Sequence, residues 1–187
     1  MNKLHIPPLD EQAAKAALEH QKILAKPPLA LGKLEPVAIR IAGMTGNPAP
    51  RLKDKAIVLF AADHHIADHG LSLTSTDVTY IQTRNFLQGG GTINAFTRNA
   101  GARLSVVDVG VNYDFGDLPG LVKRKVMHGA NDFSKEPAMT REQALECLQV
   151  GIDMAREEHN TGLDIVAAGE MGIGNTTTSS AIVAVLT

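Results

Sequence analysis

Three short apolar runs, rich in Ile, Val, Leu and Ala, constrain the fold of this chain more than any other feature. They are KAIVLFAA (residues 55–62), ARLSVVDVG (102–110) and GLDIVAAG (162–169). Each has the length of a strand, and such continuous apolar character is typical of strands buried on both faces. Helical segments separate the runs, and this alternation predicts a parallel sheet covered on both sides. The expected fold class is α/β, with an open, mostly parallel, doubly wound (Rossmann-like) sheet.

The segments between the runs carry helix signals. Residues 77–88 and 92–101 have helical patterns, with glycines 89–91 as the break between them. Thr140 and Gln143 form a capping-box pattern that starts a helix running to about His159. A last helix is expected after residue 175. The segment 121–132 predicts a third strand, short or at a sheet edge.

The N-terminal part has a different character. Asp10 stands at an N-cap position before a predicted helix over residues 11–26. A second helical segment, residues 31–46, places Leu34, Val37, Ala38 and Ile41 on one face. A Gly/Pro-containing loop follows it. We therefore expect residues 1–50 to form an N-terminal helical arm or small domain, and residues 51–187 to belong to the α/β domain.

Composition excludes several classes of function. A net charge of −2 and a pI near 6.4 argue against nucleic-acid or anionic-membrane partners. The longest apolar runs are too short to span a bilayer, and the N-terminus lacks the apolar core of a signal peptide. The single cysteine, Cys147, lies in a helical pattern and is expected to be a packing residue. These features favour a cytoplasmic protein.

The stretch GEMGIGNTTTSS, which begins at Gly169, follows the third apolar run. Gly172 and Gly174 permit a tight turn, and Asn175, Thr176 and Thr177 are residue types that cap a helix. Such a turn can bind an anion, commonly phosphate, at a helix N-terminus. It is not a Walker A loop, because Asn175 takes the lysine position, and a capped turn without ligand is the alternative. The neighbouring Glu170 suits hydroxyls or a cationic ring better than phosphate.

Two further polar stretches are candidates. Asp63, His64, His65, Asp68 and His69 crowd the end of the first run, where they could bind a metal, orient a loop or contact substrate. The DHH triplet is shared with DHH phosphoesterases, but the Asp-x-Asp motif of that class does not precede it.

The third candidate lies just beyond these residues. Residues 74–77 form a helix-start cluster or, with Gln82, the polar rim of a pocket lined by Ile81 and Phe86.

Taken together, these stretches resemble the nicotinate-nucleotide:dimethylbenzimidazole phosphoribosyltransferase family of cobalamin lower-ligand assembly, from about Leu9 to Thr187. The matching motifs are GEMGIGNTT, KPPLALGKLE, AADHHIADHGLS, NFLQGGGTIN, VVDVGV and VMHGANDFSKEPAMTREQA. The resemblance implies phosphoribosyl transfer from nicotinate mononucleotide to a benzimidazole-type base, without a metal or other cofactor. It assigns nucleotide binding to Glu170, Gly172, Gly174, Asn175 and Thr176. It assigns base binding to Thr74 and Gln82, while Asp63 and His64 remain candidates for loop or substrate contacts.

The resemblance also sets expectations about what this chain contains. Family members are nearly twice as long, and their general-base carboxylate lies in the C-terminal half, so no catalytic residue is expected here. A homodimer, or association with a chain that supplies the second half, is expected. Two motifs depart from the family pattern: KPPLALG replaces KPPGSLG, and AADHH replaces AADHG, which puts the His65 side chain at a glycine position. A non-catalytic nucleotide- or base-binding module is the alternative function.

Overall fold

The computed structural model describes residues 5–187. It contains, in chain order, α1 (Glu11–Ile23), α2 (Leu34–Thr45), β1 (Lys55–Ala62), α3 (Val78–Leu87), α4 (Thr92–Ala100), β2 (Ala102–Gly110), β3 (Leu121–Lys123), α5 (Arg141–Asn160), β4 (Ile165–Met171) and α6 (Asn175–Leu186). A short 3-10 helix, His65–His69, follows β1. The chain divides into two compact units, one ending at Leu52 and the other spanning Lys53–Thr187.

The larger unit is built on a four-stranded parallel sheet with the order β3-β2-β1-β4. The strand positions match the sequence prediction closely, since β1 and β2 cover residues 55–62 and 102–110. The third strand is three residues long and lies at an edge, as predicted. Because all strands are parallel, their carboxyl ends meet at one edge of the sheet, where ligands of open α/β sheets collect.

Helices cover both faces of the central strands, which confirms the doubly wound α/β prediction. On one face Leu59 and Val106 belong to a buried cluster against which Tyr80 and Ile93, from α3 and α4, pack. On the other face Val58 and Val107 pack with residues of α5, Val150 and Met154. Alternate residues of β1 point to opposite faces, so a continuous apolar run buries both sides of the strand.

The prediction that GLDIVAAG is a buried strand was wrong about burial. Strand β4 lies where predicted, but it forms the sheet edge, and residues 165–168 are exposed. Ile165 and Val166 each retain 45% of their accessible surface. Apolar composition makes a strand suitable for burial, but the order of the strands in the sheet decides whether it has a neighbour on both sides.

In the smaller unit, Asp10 caps α1 as predicted, because its Oδ1 accepts a hydrogen bond from Ala13 N over 2.9 Å. Helix α2 does not bury the apolar face that contains Leu34 and Val37: these residues are 66% and 51% exposed, and Glu35 and Ala42 are buried instead. Small residues explain the difference, because Ala42 and Gly43 let α2 approach α1 closely.

Helix starts were predicted with mixed success. Thr140 caps α5 and forms the capping box with Gln143. The residue before α6 is Gly174, with no side-chain cap, so the prediction that Asn175, Thr176 and Thr177 cap this helix was wrong. Asn175 is instead the first helical residue, and its side chain turns back to Glu170.

Candidate functional site

The turn between β4 and α6, at the sheet's carboxyl edge, is tightly packed at both of its glycines. A Cβ atom built on Gly172 would be 2.2 Å from the carbonyl oxygen of Ala62, so a side chain does not fit there. Gly174 has a φ of 90°, in the left-handed region that favours glycine, and a Cβ there would be 2.9 Å from that of Ala67. Both glycines are therefore required by the backbone path.

The first turn of α6 faces this glycine turn with its amide groups. The N–H groups of Asn175 and Thr177 donate to the carbonyls of Gly172 and Gly174, over 3.2 and 3.1 Å. The N–H of Thr176 makes no hydrogen bond to any residue within 5–187. A free amide at the positive end of a 12-residue helix favours an anionic group.

Glu170 lies beside this helix terminus. It occupies the penultimate position of β4, in register with Phe60 of β1. Its Oε2 accepts a hydrogen bond from Asn175 Nδ2, and its Oε1 lies 3.7 Å from His64 Nε2. The carboxylate side chain is 45% exposed, so it is held in place and still accessible to a ligand.

The histidines of the DHH stretch point toward different partners. His64 contacts Thr178 and Glu170, whereas the ring of His65 contacts Asp68 and the carbonyl of His128. His69 Nε2 lies 2.7 Å from Asp132 Oδ2. In the region that the structure describes, no three His, Cys, Asp or Glu side chains converge in a way that would hold a metal ion. The geometry therefore gives no support to the phosphoesterase alternative.

Asp63 and Asp108, at the ends of β1 and β2, take structural hydrogen bonds. Asp63 is buried, and its Oδ2 accepts from Asn112 N over 2.7 Å. Asp108 Oδ1 accepts from Val111 N, and its Oδ2 lies 3.3 Å from Lys125 Nζ. Both carboxylates hold the loops that leave the strands.

A polar cavity of about 200 Å³ opens at the end of β1. Its lining is rich in carboxyl, imidazole and hydroxyl groups and consists of Asp63, His64, His65, Asp68, Thr76, Asp77, Tyr80 and Asn112. No lysine or arginine is among these lining residues, so this cavity suits neutral or cationic groups more than anions.

The residues assigned to base binding lie near this cavity along the chain but do not line it. Thr74 is exposed, with its Oγ1 3.0 Å from Ser72 Oγ. Gln82 is half-buried and accepts a hydrogen bond from Asn85 Nδ2. Of the predicted apolar lining, Ile81 is 49% exposed, whereas Phe86 packs against the core.

A larger, apolar groove of about 500 Å³ lies on the other side of His64. It is formed by α6 and the loop that precedes α5, through Ala130, Phe133, Ala138, Met139, Thr178, Ala181, Ile182, Val185 and Leu186. The sequence did not reveal it, because the groove depends on the loop folding back toward α6. Asp132 holds this loop together. Its carboxylate accepts hydrogen bonds from Lys135, Ser134 and His69, and these bonds keep its pKa well below the ordinary range, with Lys135 contributing most.

The parallel sheet, with a glycine turn and a helix N-terminus at its carboxyl edge, defines an open α/β protein whose candidate ligand site lies at the strand ends. The chain belongs to the phosphoribosyltransferase family, whose model matches residues 6–187. It is 49% identical, over 98% of its length, to the nicotinate-nucleotide–dimethylbenzimidazole phosphoribosyltransferase of Chloroflexus aggregans. It is 46% identical, over 95% of its length, to the enzyme of that name from Geobacter sulfurreducens.

Solved structures agree with this assignment. The crystal structure of CobT from Thermus thermophilus superposes with a TM-score of 0.90 at 42% identity, over 94% of this chain and 53% of that one. The chain covers 52% of the Chloroflexus aggregans protein and 50% of the Geobacter sulfurreducens protein. It therefore spans about half the length of the curated relatives that it matches. Among residues 5–187, no helix is both long and apolar enough to cross a membrane.

Proposed function

We propose that this chain contributes the nucleotide-binding part of an enzyme that transfers 5-phosphoribose from nicotinate mononucleotide to 5,6-dimethylbenzimidazole or a related base. The products would be α-ribazole 5′-phosphate and nicotinate, in assembly of the cobalamin nucleotide loop. The observation that carries the proposal is the turn at Gly172 and Gly174, where the Thr176 amide and the start of α6 lie beside the accessible carboxylate of Glu170.

The chemistry of the reaction fits this combination of groups. The 5′-phosphate needs hydrogen-bond donors, and the amide groups at a helix N-terminus supply them. Glu170 would contact the hydroxyls or the cationic ring of the nucleotide. The departing pyridinium already carries positive charge, so the main catalytic requirement is removal of a proton from the attacking ring nitrogen. We propose that the carboxylate serving as that base lies in the second half of the relatives' sequence.

Binding of nicotinate mononucleotide, measured by calorimetry, tests the site directly. The chain is expected to bind it, and Glu170→Gln is expected to weaken binding about tenfold, because a charged hydrogen-bond partner is lost. Asp153→Asn, on the exposed side of α5, is a matched control for removing one surface carboxylate. Absence of binding at millimolar concentration would refute the proposal.

Turnover provides the second test. The chain, mixed with the C-terminal half of the Chloroflexus aggregans relative, is expected to form ribazole phosphate from nicotinate mononucleotide and dimethylbenzimidazole. The chain alone is expected to bind without turnover. Binding that never leads to turnover, even with the second half present, would favour a non-catalytic binding module.

We also propose that polypeptide equivalent to the relatives' second half covers the apolar groove and the free edge of β4. Two observations support this: the exposed apolar residues of β4 and α6, and the match to about half of the Thermus thermophilus chain. In the absence of that polypeptide, a second copy of the chain would cover the same surface and form a homodimer. We further propose that the protein acts in the cytoplasm on small-molecule substrates.

A further inference from the structure

The side chain of His64 lies between two partners on different elements. Its Nδ1 is 3.2 Å from the hydroxyl oxygen of Thr178, on α6. Its Nε2 is 3.7 Å from Glu170 Oε1, at the end of β4. The imidazole is only 14% exposed, and Nε2 is fully enclosed without a hydrogen bond to residues 5–187.

These distances favour one tautomer of the ring. A lone pair on Nε2 would face the carboxylate oxygen of Glu170, and the two would repel. A proton on Nε2 faces that oxygen favourably and leaves Nδ1 to accept the hydroxyl proton of Thr178. Thr178 Oγ1 makes no other hydrogen bond among the described residues, so its proton is available. The separation of 3.7 Å is longer than a hydrogen bond, so the Nε2–H acts on Glu170 electrostatically.

The neighbouring backbone leaves little room for another arrangement. A Cβ on Gly172 would be 2.9 Å from both Glu170 Oε1 and His64 Cδ2, so this glycine lies against both side chains. On its other oxygen, Glu170 accepts a hydrogen bond from Asn175. The carboxylate is therefore bounded by His64, in the segment that follows β1, and by Asn175, in the first turn of α6.

We infer that His64, in its Nε2-protonated form, is a positioning residue that orients the Glu170 carboxylate for the ligand. The inference rests on the proposed function, because Glu170 is the group that would contact the nucleotide. A half-exposed glutamate otherwise samples several rotamers, and ligand binding would have to restrict them. The contacts at both carboxylate oxygens of Glu170 restrict these rotamers before a ligand binds.

Two substitutions separate the contacts of the ring. His64→Gln places an amide N–H near the position of Nε2 and keeps a donor toward Glu170. His64→Asn places its amide near Nδ1 and loses that donor. Nicotinate mononucleotide is expected to bind His64→Asn about fivefold more weakly than the wild-type chain, and His64→Gln within about twofold of it. Equal affinity of both variants and the wild-type chain would overturn the inference.

A second measurement does not depend on the ligand. At pH 8, the imidazole ¹⁵N shifts of His64 are expected to show a proton on Nε2. Thr178→Val is expected to reduce the population of this tautomer, and the ¹³C shift of the Glu170 carboxyl should change in His64→Asn but not in His64→Gln. A protonated Nδ1 in the wild-type chain would overturn the inference, even if His64→Asn proves unfolded. If the wild-type chain binds no nucleotide but these shifts are as expected, the proposed function fails while the role of His64 toward Glu170 stands.

Discussion

The carbonyl oxygen of Ala62 lies so close to Gly172 that a Cβ atom built on that glycine would be 2.2 Å away. Neither group can move easily. Ala62 is the last residue of β1 and pairs with Gly110 of β2, and Gly172 directly follows β4. The turn between β4 and α6 is therefore packed directly against β1, an interior strand of the sheet, and its path depends on the absence of a side chain at Gly172.

Gly172→Ala is expected to lower the free energy of unfolding by about 1–3 kcal/mol, the usual cost of forcing an extra carbon into a packed site. It should also weaken binding of nicotinate mononucleotide, because relief of the clash moves the turn. Urea denaturation followed by circular dichroism measures the first effect. Gly151→Ala is the matched control: apart from its chain neighbours and the backbone of its own helix, no atom lies within 4 Å of its Cβ position in α5, so it should stabilise the helix by up to about 1 kcal/mol. Equal stability of the two variants would contradict this account.

Strands β1 and β2 could be predicted to the residue because local sequence determines them: each is one apolar run ended by polar or glycine residues. The start of α5 could also be predicted from local sequence, because the side chains of Thr140 and Gln143 each hydrogen-bond the other's backbone N–H within one turn. The exposure of β4 was not predictable in this way. Its residues are as apolar as those of β1, and only the strand order places it at an edge.

In the candidate site, too, local features could be predicted from the sequence and contacts between distant segments could not. The glycine turn and Glu170 were predicted from sequence, because the turn and the residue before it are adjacent in the chain. The contact of Glu170 with His64 was not predicted, because it joins the end of β4 to the segment after β1, and these come together only when the two strands pair in the folded sheet. The groove beside α6 was missed for a similar reason, since the loop that completes it carries no helix or strand pattern.

Leu29→Gly is expected to stabilise the N-terminal unit. Leu29 has a φ of 59°, the only non-glycine residue within 5–187 in the left-handed region, and its side chain is 75% exposed. The variant should raise the free energy of unfolding by about 0.5–1 kcal/mol, because relief of strain exceeds the entropy that glycine adds to the unfolded chain. Leu31→Gly, at another exposed leucine without positive φ, should destabilise instead. Urea denaturation measures both, and a destabilised Leu29→Gly variant would refute the prediction.

Acid stability should depend on Asp132. Lys135, with Ser134 and His69, lowers the pKa of this carboxyl from its ordinary value of 3.8. A lowered pKa stabilises the fold above the ordinary value, and this contribution is lost as the pH falls below about 3.8. Between pH 6 and pH 3, the wild-type chain should therefore lose more unfolding free energy than Asp132→Asn. Asp117→Asn, at a fully exposed carboxylate, should follow the wild-type profile. Parallel profiles for Asp132→Asn and the wild type would show that the loop does not depend on this charge.

Self-association of the isolated chain should depend on the groove face of α6. Ile182 and Val185 line the groove and are 54% and 84% exposed. Exposed apolar surface of this kind drives association, at roughly 25 cal/mol for each Å² buried. Ile182→Ser combined with Val185→Ser should therefore shift sedimentation velocity profiles toward the monomer. Leu73→Ser, which removes a fully exposed leucine outside the groove, should leave the profiles unchanged.

The identity of the covering partner follows from mixing experiments. If the second half of the relatives covers this face, adding that half from Chloroflexus aggregans should replace self-association with a one-to-one complex. The double variant should then bind that half more weakly than the wild-type chain does, because the same apolar surface serves both contacts. Self-association that the double variant leaves intact would place the contact elsewhere, for instance along the free edge of β4. A homodimer that persists when the second half is bound would show that the dimer interface lies outside the groove.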